Sequence, residues 1–155
     1  MLRYAVLGSG SSGNSYVFSD GSTSVLFDQG YSVVELTRRL SQFNIPLETI
    51  KGLCVTHLHP DHARGVGVLA RKTKIPVYMH DKTIEQEPSR IRKLNIPDAQ
   101  LVPVMVSQSS QIGPFSLFCF ETSHDSTGSV GWFIIHEDQQ CMILTDTGHT
   151  TEEHQ

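Results

Sequence analysis

Residues 57–62 read His57-Leu58-His59-Pro60-Asp61-His62, so three of the chain's eight histidines and an aspartate fall within six positions. Residues 52–56 before them (Gly-Leu-Cys-Val-Thr) form a mostly apolar run of strand length. At the end of an extended segment, His57 and His59 leave the same side of the backbone, because side chains there alternate with a period of two. Pro60 turns the chain and suits the first position of a helix. Asp61 and His62 then project from that helix's first turn. Two donor pairs on adjacent elements can hold two nearby cations. The plainer reading is a polar loop whose histidines are only solvated.

Residues 2–7 read as a short buried strand that ends in the Gly/Ser-rich stretch 8–13. Residues 15–19 and 24–28 flank Asp20-Gly21, a hairpin signal closed by a two-residue turn. Ser32 and Glu35 stand in capping-box spacing before Val33, Leu36, Leu40 and Phe43, the apolar face of a helix, and Pro46 follows its end. After the histidine stretch a helix is expected to about Lys72, weakened by Gly65 and Gly67. Residues 76–79 read as a strand, and 81–93 as a helix broken at Pro88. Strands are expected at 101–106, 115–121, 130–136 and 141–145, with Asp138 and Gln139 turning between the last two. Strands with interleaved helices give a sheet-plus-helix protein.

The chain of 155 residues suits one domain, and a hydrophobic fraction of 38% excludes wholesale disorder. The longest apolar run is four residues, far short of a membrane helix, and the N-terminus lacks the pattern of a signal peptide. A net charge of −4 excludes a broadly basic nucleic-acid module while leaving room for a local basic groove. Cys54, Cys119 and Cys141 are odd in number and unpaired in spacing, which suits a reduced, cytoplasmic protein.

Gly8, Gly10 and Gly13 satisfy GxGxxG after a strand, with Asp28 twenty residues beyond Gly8. Dinucleotide binding requires a helix opening at the third glycine, so that its N-terminus faces the pyrophosphate. Here a strand follows instead, and a tight turn is the better reading.

HxHxDH at a strand-to-helix loop resembles the signature of metallo-β-lactamase-fold hydrolases, and the rest of the chain is similar to their YycJ/WalJ-like branch. Gly8 to Ser15 (GSGSSGNS) and residues 26–30 resemble its opening strands. His124, in Thr122-Ser123-His124-Asp125, matches the third histidine on the first metal, and Asp146, in Thr145-Asp146-Thr147-Gly148, the bridging carboxylate. The resemblance covers residues 1–155 as one domain and implies an α/β, αββα sandwich with mixed sheets. It also implies two divalent cations (Zn, or Mn or Fe). One would be held by His57, His59 and His124, the other by Asp61 and His62, with Asp146 on both.

Aspartate rather than cysteine at the bridging position points toward phosphodiesterase and thioesterase-like members. Asp61 would also orient the attacking water. Asp28 resembles the aspartate of the family's Asp-x-Gly, which steadies a metal-binding histidine from behind; a strand-end turn residue is the alternative. Asn14, Ser11 and Ser12 would shape the floor of the site. Asp125 is a further candidate support for His124. Ser12 and Ser123 stand in no nucleophile arrangement, and His80, His136, His149 and His154 are expected at the surface or at element ends.

The implied activity is hydrolysis of a nucleic-acid phosphodiester, DNA cut as an exonuclease. Arg64, Arg71, Lys72 and Lys74 stand ready to neutralise phosphates or to form a solvated helix face. The rival activities are thioester hydrolysis of the glyoxalase II type, or metal binding without turnover. The family continues past the Asp-Thr-Gly strand to a last histidine on the second metal. The chain is therefore expected to be truncated there, with sheet edge and apolar surface left open for a homo-oligomer to cover.

Overall fold

The computed structural model describes residues 1–146. Strands β1 (Arg3–Gly8), β2 (Ser15–Ser19) and β3 (Ser24–Phe27) run antiparallel. Parallel pairing then carries the sheet through β4 (Ile50–Cys54), β5 (Val77–His80) and β6 (Leu101–Val104), in the order β1-β2-β3-β4-β5-β6. Between these strands lie α1 (Val33–Ser41), α2 (Pro60–Ala63), α3 (Val66–Thr73), α4 (Asp81–Gln86) and α5 (Pro88–Leu94). Strands β7 (Ser109–Ile112), β8 (Phe115–Glu121), β9 (Val130–His136) and β10 (Gln139–Ile143) form a second, antiparallel sheet.

Central parallel strands must be apolar on both faces, and Leu26, Phe27, Leu53 and Cys54 are fully buried. One core packs Leu36, Leu40 and Leu69 of the helices against Leu26, Leu53 and Val77 of the first sheet. The other fills the space between the sheets with Phe27, Phe115, Leu117, Trp132 and Ile134. The described residues thus supply three layers of the expected sandwich: helices, six-stranded sheet and four-stranded sheet. The edge strands β1 and β10 border a groove of about 440 Å³ where Tyr4, Val6 and Met142 are exposed. No helix of the described residues is long and apolar enough to cross a membrane.

Local chemistry explains where the sequence reading holds and where it slips. Ser32 Oγ accepts the Glu35 N–H at 3.2 Å, as the capping spacing requires. The Glu35 carboxylate does not return to Ser32; it accepts from Arg38 and Arg39, which hold its pKa down to about 2. The first hairpin closes through four residues, not two, because Asp20 Oδ1 accepts the Ser22 and Thr23 N–H groups. The β9–β10 turn is Glu137-Asp138, one residue earlier than expected, since Gln139 already pairs with His136. Strand β7 escaped the sequence reading because Ile112 is its one apolar residue. His80 and His136 do stand at strand ends, but both are buried rather than at the surface. His80 Nδ1 lies 3.0 Å from the Gly128 carbonyl, and the His136 ring packs on Phe115.

The helix expected to run to Lys72 is split around Gly65, whose N–H donates to the Gln29 carbonyl. Gly67, inside α3, admits the last turn of α5: a Cβ there would lie 1.6 Å from the Leu94 carbonyl oxygen. Ala for Gly within a helix ordinarily stabilises by about 1 kcal/mol. Gly67→Ala is expected to do the reverse, lowering unfolding free energy by about 1–3 kcal/mol in urea denaturation, because the two helices must separate.

Candidate metal centre

Strands β3 and β4 are parallel neighbours, so Asp28 and the His57 loop emerge at the same end of the sheet. Asp28 takes a positive φ of 58°, which an aspartate tolerates better than most residues, and its carboxylate is fully buried. Oδ1 accepts the Thr56 N–H at 2.7 Å, while Oδ2 accepts the Thr56 hydroxyl and lies 2.7 Å from His62 Nδ1. The single hydroxyl proton of Thr56 is committed to Asp28, so its oxygen accepts from His57 Nδ1, 2.9 Å away. Both His57 and His62 therefore carry their proton on Nδ1 and turn the Nε2 lone pair inward.

Two groups of donor atoms converge there. His57, His59 and His124 form one, and His57, His62 and Asp146 the other, each with its ligand atoms within 4.8 Å of one another. Asp146 Oδ2 lies 2.9 Å from His62 Nε2 and 3.4 Å from His57 Nε2. His59 Nδ1 and His124 Nε2 are 3.3 Å apart. His57 Nε2 is buried and has no hydrogen-bond partner. An orphaned buried lone pair, facing imidazole and carboxylate donors, is the arrangement a cation resolves. These residues fit the metal ions that the resemblance implies.

Burial, followed by the nearby His62, His124 and His59, drives the His57 pKa down to about 3, so its ring stays neutral and able to ligate. Burial also opposes charge on His62. The Asp28 bond and charge, then Asp146 and Asp61, outweigh it and carry His62 above its ordinary value.

Asp61 belongs to neither group, although its Oδ2 lies 3.6 Å from His62 Nε2. It is held by Asn14, whose Nδ2 donates to Asp61 Oδ2 at 3.0 Å and whose backbone N–H donates to the Asp61 carbonyl at 2.7 Å. Asn14 in turn exchanges side-chain bonds with Gly10, which closes the Gly/Ser loop without any helix. Gly30 makes room for this bracket, since a Cβ there would lie 1.8 Å from the Asp61 carbonyl oxygen. A cleft of about 500 Å³ opens over the centre between Ser9, Tyr16, Asp61, Thr145 and Asp146. Burial, then Asp28 and Asp146, pushes the Tyr16 phenol up to about 12, so it remains a donor.

Ser11 and Ser12 are exposed on the loop. Asp125 stands at the rim, 3.3 Å from His124 Nδ1 and 3.7 Å from His59 Nε2. Thr56 and Tyr16 escaped the sequence reading; Thr56 adjoins His57, but nothing in its residue type shows that it links Asp28 to that ring. His149 and His154 lie outside the described residues.

Residues 8–154 match the family described as the Metallo-beta-lactamase superfamily. The chain belongs to this superfamily. Exodeoxyribonuclease WalJ of Streptococcus pneumoniae is 30% identical over 151 residues, covering 97% of this chain and 56% of the relative. Exodeoxyribonuclease YycJ of Bacillus anthracis is 31% identical over the same shares. The chain spans about half the length of these curated relatives. Among solved structures, the metallo-beta-lactamase fold protein YhfI of Bacillus subtilis has a TM-score of 0.70 at 22% identity, covering 92% of this chain and 61% of that one. A B3 metallo-beta-lactamase with an active-site glutamic acid has a TM-score of 0.72 at 18% identity, covering 90% and 57%. These two likenesses show the metallo-beta-lactamase fold.

Asp28→Ala is expected to lower unfolding free energy by about 3 kcal/mol in urea denaturation. It leaves the Thr56 N–H and His62 Nδ1 buried without an acceptor. Asp28→Asn keeps one acceptor oxygen and tolerates the same backbone, so its loss is expected to be smaller.

Proposed function

We propose that this protein is a metal-dependent phosphodiesterase that cuts DNA as an exonuclease. The observation that carries this reading is the pair of donor groups sharing His57, one of which reaches a polar cleft through His62 and Asp146. The two relatives named exodeoxyribonucleases support the choice of substrate.

His57, His59 and His124 would hold one divalent cation, and His62, Asp61 and Asp146 the second. Asp146 Oδ2, within 3.4 Å of the shared His57 Nε2, would serve both. Histidine and carboxylate donors suit Zn, Mn or Fe. Bound there, such ions would lower the pKa of water and offset the charge that develops on phosphoryl and departing oxygens.

The chain's own residues do the positioning. Asp28 and Thr56 fix the tautomers and directions of His62 and His57. Asn14 holds the Asp61 carboxylate at the cleft, where it would orient the attacking water and accept its proton. The Tyr16 hydroxyl, protonated throughout the physiological range, faces the same cleft and can donate to a phosphoryl oxygen.

Protein purified without chelator is expected to carry close to two equivalents of divalent metal by elemental analysis. His59→Ala and Asp146→Ala should each lower that content and reduce release of nucleotides from DNA by at least about 100-fold. Hydrolysis of small thioesters with DNA left intact would favour the thioesterase instead. Bound metal with neither activity would make this chain a metal-binding domain without turnover.

A further inference from the structure

Of the four basic residues that follow the histidine loop, the fold keeps only Arg64 near the centre. Arg71 donates to the Leu94 and Asn95 carbonyls and closes the end of α5. Lys72 and Lys74 line a groove with Glu48 and Lys51, at the start of β4 and β5 and so at the opposite end of the sheet from His57. In their place α5, distant in sequence, brings Arg90 and Lys93 beside the metal loop. Together with Arg64 they rim a groove of about 360 Å³ whose floor is Leu58, Pro60, Ala63 and Leu94.

We propose that this groove between α2 and α5 carries the sugar-phosphate backbone of the DNA strand flanking the scissile bond. The proposal rests on the phosphodiesterase reading above and extends it from the reacting phosphate to its neighbours. Three cations converge there on a chain whose net charge is −4, so the local field opposes that of the whole molecule. All three side chains are exposed. Arg64 donates to the Pro60 and Ser12 carbonyls, bonds that fix its position and leave its charge uncompensated. Arg90 has one carboxylate near it, Glu87 at 3.6 Å, while Lys93 has no ion pair among the described residues.

Pro60, in the groove floor, lies between His59 and Asp61, and Arg64 reaches the Gly/Ser loop that walls the catalytic cleft. A strand whose phosphate sits over the metal centre can therefore run over Pro60 and Arg64 toward Lys93. Among the described residues no aromatic side chain lines the groove, so recognition there falls on phosphate and sugar, independent of sequence.

The test pairs Arg90→Glu/Lys93→Glu with Lys72→Glu/Lys74→Glu, which changes net charge equally at the far end of the sheet. Metal-loaded proteins, checked for unchanged thermal melting, are titrated with a labelled single-stranded phosphorothioate oligonucleotide of mixed sequence, which resists hydrolysis. The first pair is expected to weaken binding by about tenfold or more at low salt. It should also flatten the slope of log affinity against log salt by about 1.4, two phosphate contacts' worth for a single strand. The second pair should leave both nearly unchanged. Equal losses in the two pairs, no loss in either, or no binding by the unaltered protein overturns the groove. Cleavage of ordinary DNA on the same samples reads the underlying activity separately: cleavage that persists with an unaffected groove mutant refutes the groove alone, and thioester hydrolysis without DNA cleavage refutes the phosphodiesterase reading.

Discussion

The Asp28 carboxylate is buried completely, at the point where the ends of β3 and β4 meet the first turn of α2. An ionised carboxylate out of water is costly unless donors surround it. Here the Thr56 amide, the Thr56 hydroxyl and His62 Nδ1 all converge on it. Those three bonds tie the end of β3 to the end of β4 and to the first turn of α2. The backbone repeats the tie: Asp28 N–H donates to the Cys54 carbonyl, Gln29 N–H to the His62 carbonyl, and Gly65 N–H to the Gln29 carbonyl. Because His62 and His57 are oriented through this one carboxylate, the inward direction of both Nε2 atoms depends on it.

A second bracket, independent of the first, governs Asp61. Asn14 grips its carbonyl through the backbone and its carboxylate through the side chain, and Gly30 returns an N–H to the Asn14 carbonyl. The Gly/Ser loop thus works by close backbone approach rather than by cradling a phosphate. Gly8 and Gly13 serve proximity to the Tyr31 ring, as Gly30 does to Asp61, while Gly10 supplies a φ of 140° in open space.

The second sheet delivers what the first cannot. Val130 N–H donates to the Thr56 carbonyl, and Trp132 Nε1 donates to the Val55 carbonyl, so β9 is fastened to the strand that ends in the histidines. Packing around Trp132 and Phe27 then fixes the loop between β8 and β9, which carries His124, and the end of β10, which leads to Asp146. The centre is graded as a result. His57 and His62 are buried, His124 and His59 half-covered, and Asp146 is 45% exposed at the mouth. Buried rings hold the geometry, and the open carboxylate faces the cleft.

The histidine stretch at a strand-to-helix junction, the capped helix α1, the broken pair α4 and α5, and the spans of β8 and β9 are all legible in the linear order of residues. These follow from spacing, capping chemistry and apolar runs, which act over a few residues. Motif resemblance also drew in His124, Asp146 and Asp28, residues no local pattern singles out. Tertiary structure alone decided that Thr56 couples Asp28 to His57, that Asp61 is bracketed by Asn14, and that Gly67 opens α3 to α5. It also decided which cations approach the centre: Lys72 and Lys74, near the motif in sequence, are carried to the far end along α3, while Arg90 and Lys93 return beside it. The reason is physical. A helix's rise moves neighbours in sequence apart, and only the packing of α5 against α3 brings distant residues back, a choice made by contacts the linear pattern does not contain.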